Sequence, residues 1–179
     1  MSYILHLDAS GRQNGSASRE SSATHAAQLS AETGLPIRTR DLSQGLPFVN
    51  ETMIVAYFTA EDDRSEEQRA SLTVSDELVD ELLGASHLVL GTPIYNFSVP
   101  AALKAWIDLV TRMGRTVNYE DGRPVGLVEN VPATVHVAAG GTAISSKRDF
   151  ATPWLKTALG YIGISEIEFW PATEAATPE

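Results

Sequence analysis

Short apolar runs alternate along the chain with longer stretches whose apolar positions recur at helical spacing. The runs at residues 3–8 (Tyr-Ile-Leu-His-Leu-Asp), 87–91 (His-Leu-Val-Leu-Gly), 131–138 and 164–170 are bounded by glycine, proline or small polar residues. That pattern predicts buried strands, and residues 35–40 form a more polar fifth candidate. Between them lies an Ala- and Ser-rich stretch from Ser18 that stops at Gly34, with Glu20 placed to favour a helix start. Residues 51–60 are a further helical candidate. Residues 71–83 carry Leu72, Leu78, Val79, Leu82 and Leu83 with acids between them, and residues 101–113 carry Leu103, Trp106, Ile107, Leu109 and Val110. Both predict amphipathic helices, the second with Pro100 in its first turn, and residues 147–162 predict a last one. One segment breaks the alternation: residues 116–128 hold Glu-Asp-Gly-Arg-Pro between two apolar runs, a hairpin signal.

Strands alternating with helices imply an α/β fold, a doubly wound parallel sheet with right-handed crossovers. In such sheets ligands bind outside the carboxyl ends of the strands at the topological switch point. The loops after the first, third and fourth strands are therefore the place to look for chemistry. The chain reads as one domain over residues 1–172, and residues 173–179 are expected to fray.

Composition narrows the function classes. With 179 residues, 43% of them apolar and 20% charged, the chain can bury a core without disulfides or metals. Its 23 acidic and 13 basic side chains give a net charge of -10, which repels a nucleic-acid backbone. No apolar run approaches the roughly 20 residues that span a bilayer, and the N-terminus has no basic region followed by a long apolar stretch, so a soluble, cytoplasmic protein is expected. The chain has no cysteine, which removes thiolate catalysis and cysteine-ligated metals; redox chemistry would need a bound cofactor. The four histidines His6, His25, His87 and His136 share no spacing, so they read as structural or surface groups with no metal site. The acidic run from Glu61 to Glu67 reads as solvated surface.

Three loops hold the informative residues. Ser10, Ser16 and Ser18 lie just before a helix, where hydroxyls, loop amides and the helix dipole suit a phosphate. The spacing matches neither a Walker loop nor a dinucleotide fingerprint, and an ordinary polar turn with Ser18 as N-cap is the plainer alternative. Arg19 is a candidate cation for the same phosphate, or a surface residue. The second loop, residues 91–100, places Tyr95 and Phe97 in a Gly- and Pro-rich turn that can wrap a flat heteroaromatic ring. The third, Ala138-Ala139-Gly140-Gly141-Thr142, has consecutive glycines that allow close main-chain approach to a ligand.

The stretch Tyr95-Asn-Phe-Ser-Val-Pro-Ala-Ala-Leu-Lys104, followed by Ala-Trp-Ile-Asp, resembles the signature of the FMN-dependent NADH azoreductases and NAD(P)H quinone oxidoreductases. The likeness continues through Gly114-Arg-Thr-Val-Asn-Tyr and Gly126-Leu-Val to Gly140-Gly141, and the Ser10, Ser16, Ser18 pattern matches too. The resemblance implies a flavodoxin-like five-stranded sheet in the order 2-1-3-4-5, helices on both faces and a small hairpin excursion. It implies bound FMN, NADH or NADPH as donor, and two-electron ping-pong hydride transfer to quinones or azo compounds, in a homodimer with the site at the interface. Ser10, Ser16, Ala17 and Ser18 would hold the phosphate, Ile94, Tyr95, Asn96 and Phe97 with Ala138, Ala139, Gly140 and Gly141 would line the ring, and Tyr119 would cover the substrate pocket. No residue is expected to act as a catalytic acid or base. The sequence departs from similar enzymes at Ala17, where they carry a polar residue, at Ala138-Ala139, where they carry Ser-Arg, and in its somewhat shorter length. A flavodoxin-type electron carrier and a flavin-free regulatory or structural relative are the alternative readings.

Overall fold

A computed structural model describes residues 2–172 of the chain; the expected fray of residues 173–179 lies outside the described residues. The elements are β1 (Tyr3–Asp8), α1 (Ala17–Thr33), β2 (Ile37–Asp41), α2 (Glu51–Phe58), α3 (Glu66–Leu83) and β3 (Ala85–Pro93). They continue with α4 (Ala101–Val110), β4 (Val117–Glu120), β5 (Arg123–Gly126), β6 (Ala133–Ala138), α5 (Ala151–Tyr161) and β7 (Ile167–Pro171). Five strands form a parallel sheet in the order β2-β1-β3-β6-β7, which is the expected 2-1-3-4-5 once the hairpin strands are left out of the count. The hairpin β4-β5 turns at Asp121 and Gly122, with φ of 51° and 75°, the left-handed pair that an Asp-Gly turn supplies.

Side-chain caps moved several boundaries. α3 starts at Glu66 rather than 71 because Ser65 and Gln68 form a capping box: Gln68 N donates to Ser65 Oγ at 3.2 Å and Ser65 N to Gln68 Oε1 at 2.8 Å. Glu66 and Glu67, expected as plain surface, thus sit in a first turn where the helix dipole favours acids. α5 starts at Ala151 rather than 147, since the Asp149 carboxylate accepts from Ala151 N at 3.0 Å and Thr152 N at 2.9 Å. α4 ends at Val110, short of 113, where Arg112 N turns to Thr116 Oγ1 at 2.8 Å. The N-cap of α1 is Ser16 and not Ser18, which lies inside the first turn.

The two faces of the sheet differ in chemistry. On one, Leu5 and Leu7 of β1, Leu88 and Leu90 of β3 and Val135 and Val137 of β6 pack with Leu78, Leu82, Leu103, Trp106 and Leu155 from α3, α4 and α5. That face is the apolar core. Strand alternation sends the intervening residues to the other face, under α1. There the apolar cluster is only Ile4, Val89 and Ala26, edged by Leu29 and Leu35. α1 buries Ser18, Ser22 and Ala26, so small side chains rather than an apolar stripe set it on the sheet.

All four histidines gather on this α1 face, a grouping that their sequence spacing does not show. His6 Nε2 shares a hydrogen bond with Ser22 Oγ at 2.9 Å, His136 Nδ1 with Ser21 Oγ at 2.7 Å, and His136 Nε2 with His25 Nδ1 at 2.9 Å. His87 bonds Thr134 Oγ1 at 3.1 Å, and the His25 ring stacks on Trp170 with centroids 4.7 Å apart. Burial lowers all four below the ordinary histidine value, His136 to about 4. His25 and His6 add repulsion at His136, while Glu168 and Glu32 oppose the shift at His25, Glu168 at His87 and Asp8 at His6.

Because the folded values lie below the unfolded one, the unfolded chain takes up protons first as pH falls. The contribution of a neutral histidine here is intact above about pH 6.5 and is lost as pH falls below it, for His136 between there and about pH 4. The urea midpoint should therefore fall between about pH 7.5 and pH 5, with His136 contributing on the order of 1 kcal/mol. His136→Gln should flatten that dependence, and equal slopes in the two proteins would contradict the assignment.

Candidate functional site

The carboxyl ends of β1, β3, β6 and β7 enclose a cleft of about 700 Å³, a size suited to a cofactor-sized ligand. The first loop contributes Ser10, Arg12, Gly15, Ser16, Ala17 and Ser18, and the second contributes Pro93, Ile94 and Tyr95. Ala138, Ala139, Gly140, Thr142, Ala143 and Ile144 come from the third. Nine of the thirteen expected site residues thus line one cavity. Asn96, Phe97 and Gly141 do not line it, although Asn96 and Gly141 are each next in sequence to a residue that does and Phe97 is two residues from Tyr95.

The head of α1 opens on this cleft. Ser16 has an extended backbone and makes no side-chain cap, and the first bond of the helix is Glu20 N to Ser16 O at 3.0 Å. The amides of Ala17, Ser18 and Arg19 therefore have no acceptor within the helix. Around them Ser10, Ser16 and Ser18 are buried, with Ser16 Oγ and Ser18 Oγ 3.3 Å apart. Open amides, hydroxyls and the positive end of a 17-residue helix form a seat for an anion. The residues present therefore fit a phosphate.

What lets the helix head sit there is Gly91. A Cβ at this position would lie 2.5 Å from Ser22 Oγ and 2.7 Å from the Ser18 carbonyl oxygen, closer than atoms pack. In the sequence Gly91 reads only as the end of a strand and the start of the second loop. Its role depends on a contact with a helix more than sixty residues away.

The second loop closes in a two-residue turn: Tyr95 N donates to Ser98 O at 2.9 Å and Ser98 N to Tyr95 O at 3.0 Å. The central residues Asn96 and Phe97 have φ of 50° and 69°. Asparagine adopts this region readily, whereas phenylalanine costs about 1 kcal/mol there. Phe150 N holds the turn through Phe97 O at 3.1 Å, and Phe97 stays half exposed at the rim. In the third loop, a Cβ on Gly140 or Gly141 would meet nothing within 4 Å. Those glycines leave room beside the chain instead of packing against protein. Tyr119, expected over the pocket, shares a hydrogen bond with Tyr161 of α5 at 3.1 Å and does not line the cleft.

Arg19 is turned away from the cleft. Its Nη2 donates to Ser10 O at 2.7 Å and Asp41 Oδ1 at 2.6 Å, and its Nη1 lies 3.2 Å from Asp8 Oδ2. Burial alone would raise the Asp41 carboxyl, but bonds from Arg19, Ser43 and Gln13 hold it well below the usual carboxylate range. Burial pushes the Asp8 carboxyl up, against the pull of His6 and Arg19. Arg12, Thr142, Ile144, the β7 residues Phe169 and Pro171 and the adjoining Ala172 also line the cleft, and the sequence reading missed them. The β7 group was signalled by the rule that ligands lie at the carboxyl ends of all the parallel strands.

A family described as having a flavodoxin-like fold matches residues 2–179. The chain belongs to this family. It is 48% identical, over 93% of its length and 86% of the relative's, to FMN-dependent NADH:quinone oxidoreductase 1 of Colwellia psychrerythraea. It is 44% identical, over 94% and 86%, to the protein of the same name from a Jannaschia species. Among solved structures, an azoreductase from Bacillus anthracis strain Sterne is similar at a TM-score of 0.82 and 26% identity, covering 96% of this chain and 86% of that one. An FMN-dependent NADH-azoreductase from Bacillus anthracis strain Ames Ancestor, solved with FMN, shares the fold at a TM-score of 0.82 and 20% identity, covering all of this chain and 90% of that one.

Gly91→Ala should lower stability by about 2 kcal/mol in urea unfolding, as overpacking typically does. Adding Ser22→Ala should not restore it, because the Ser18 carbonyl still blocks the new methyl group. Full rescue by the double substitution would show that backbone contact is not the constraint.

Proposed function

We propose that this chain is an FMN-dependent NADH oxidoreductase that reduces quinones or azo compounds. The observation that carries the proposal is the open head of α1 beside three serines, in one cleft with Tyr95, Ala138 and Gly140, in a member of a family whose close relatives carry that activity. When bound, FMN supplies two-electron hydride chemistry linking the nicotinamide to the acceptor.

The residues position and polarise. The amides of Ala17 and Ser18 and the hydroxyls of Ser10, Ser16 and Ser18 hold the phosphate. Ile94 and Tyr95 on one side and Ala138, Ala139 and Gly140 on the other flank the ring, with Asn96, Phe97 and Gly141 at the rim. The free space at Gly140 and Gly141 leaves their backbone accessible for donating to a negatively charged ring edge. Alanine at 17, 138 and 139 contributes main-chain contacts only. A donor drawn from the NADH pool fits a cytoplasmic protein.

A homodimer is part of this proposal. Phe48 and, on α2, Ile54, Val55 and Phe58 are exposed, the two phenylalanines by 76% and 74%. Ile54 and Phe58 stand one turn apart, so they share a stripe that a second copy would cover. Sedimentation should give a dimer, and Phe58→Asp should shift it towards monomer; a monomeric wild-type protein would count against the dimer.

The purified protein should be yellow, gain thermal stability with FMN, and bleach within seconds when mixed anaerobically with excess NADH. A colourless protein that FMN does not stabilise would exclude the flavin. Flavin binding with bleaching that takes hours would favour an electron carrier, which the net charge of -10 would suit.

A further inference from the structure

The first loop and the first turn of α1 carry one guanidinium group each, Arg12 and Arg19, and their surroundings are opposite. Arg19 has a side chain only 13% exposed and sits between two carboxylates, 3.2 Å from Asp8 and 2.6 Å from Asp41. Arg12 enters no ion pair among the described residues and is the one side chain with a formal charge among those lining the cleft. Among the described residues no carboxylate lines that cleft, although the chain as a whole is strongly acidic.

We propose that the two arginines divide the work at the phosphate seat: Arg12 supplies the positive charge that meets the FMN phosphate, and Arg19 is a positioning residue that fixes the loop carrying Arg12. This rests on the FMN reading above and deepens it.

The geometry of Arg19 supports the second half. With one positive charge against Asp8 and Asp41, the buried group sums to a net negative charge, so it offers no surplus to a dianion. What it does hold is the loop. Its Nη2 and Nε donate to the Ser10 carbonyl oxygen at 2.7 and 3.3 Å, and Nη2 reaches Ser43 Oγ at 3.2 Å. In a trans peptide the following N–H points opposite to the carbonyl, so this bond sets the Gly11 peptide plane. Three residues after Ser10 the chain is pinned again: Gln13 Nε2 donates to Ser43 Oγ at 2.8 Å and Asp41 Oδ2 at 3.3 Å. Arg12 lies between the two anchored points, its backbone N donating to Ser10 Oγ at 3.2 Å.

The two roles differ in how salt acts on them. A guanidinium that meets the phosphate adds a screened Coulomb attraction, so its loss weakens binding and flattens the salt dependence. A brace that is already neutralised weakens binding when removed and leaves the salt dependence as it was.

The test is fluorescence titration of the full-length, flavin-stripped protein with FMN and with riboflavin over a range of sodium chloride concentrations. Arg12→Gln should weaken FMN about tenfold, leave riboflavin unchanged and reduce the salt slope, in line with losing one charge-assisted contact. Arg12→Lys should keep most of the slope. Arg19→Gln, or Arg19→Lys if the first variant folds poorly, should weaken FMN with the wild-type slope retained. An unchanged ratio of FMN to riboflavin affinity in Arg12→Gln overturns the assignment, as does a slope lost at Arg19 instead. If Arg12→Gln changes only the preference between NADPH and NADH, the side chain serves the donor and the proposal also fails. A wild-type protein that binds neither FMN nor riboflavin would instead remove the FMN reading itself.

Discussion

The seating of α1's first turn on β3 at Gly91 is the contact from which the rest of the site follows. Because the Ser18 carbonyl and the Ser22 hydroxyl occupy the space where any Cβ would stand, the helix approaches the sheet closely at its head. That approach brings the open amides of residues 17–19 to the carboxyl edge of the strands. It also brings the Arg19 guanidinium within reach of Asp8 on β1 and Asp41 at the end of β2, and Ser22 within reach of His6. A methyl group at one strand position would act on the helix head, the brace and the seam together.

Stability and placement are divided between the two faces of the sheet. The face under α3, α4 and α5 is closely packed with leucine, valine and Trp106, and burial of that kind supplies most of the folding free energy. The α1 face is built from serines, histidines and a buried Asp-Arg-Asp group, which contributes less net energy because desolvation offsets much of each polar contact. What such contacts provide is direction. A hydrogen bond tolerates little rotation, so α1 is fixed in register and depth where a hydrophobic contact would allow sliding. The cost is that the histidines must stay neutral, which ties the geometry of the α1 face to pH.

Most of the architecture was readable from the sequence, and the reason is physical. Strands buried on both faces read as apolar runs whatever lies above them, and the Asp121-Gly122 pair fixes a hairpin by its own backbone preferences. The residues lining the cleft were readable for a similar reason: they sit at the carboxyl ends of identifiable strands, a position that topology alone marks. Boundaries at α3 and α5 shifted because Ser65 and Asp149 cap through specific side-chain bonds that periodicity does not register. The histidine seam was not readable. His6, His25, His87 and His136 belong to four elements, and only pairing β1 with β3 and β3 with β6 in the observed register brings them under one helix. Arg19 was misread for the same reason, since the direction of a long side chain depends on partners distant in sequence.

A protein this acidic that is to hold an anionic cofactor and an anionic donor must arrange its charge locally. Many of its carboxylates lie on α3 and the segment before it, on the far face of the sheet from α1. At physiological ionic strength, exposed charges are screened beyond about 8 Å, so those carboxylates matter little at the cleft. Near the cleft, Asp8 and Asp41 are the threatening charges, and Arg19 lies between them. The remaining field there comes from the helix head, the serine hydroxyls and Arg12. Backbone amides cannot be titrated and lose little to solvent when buried, which makes the α1 terminus the steadier part of that field. Net charge sums over the whole surface and therefore says little about this site, where the sign is set by a handful of groups within one helical turn.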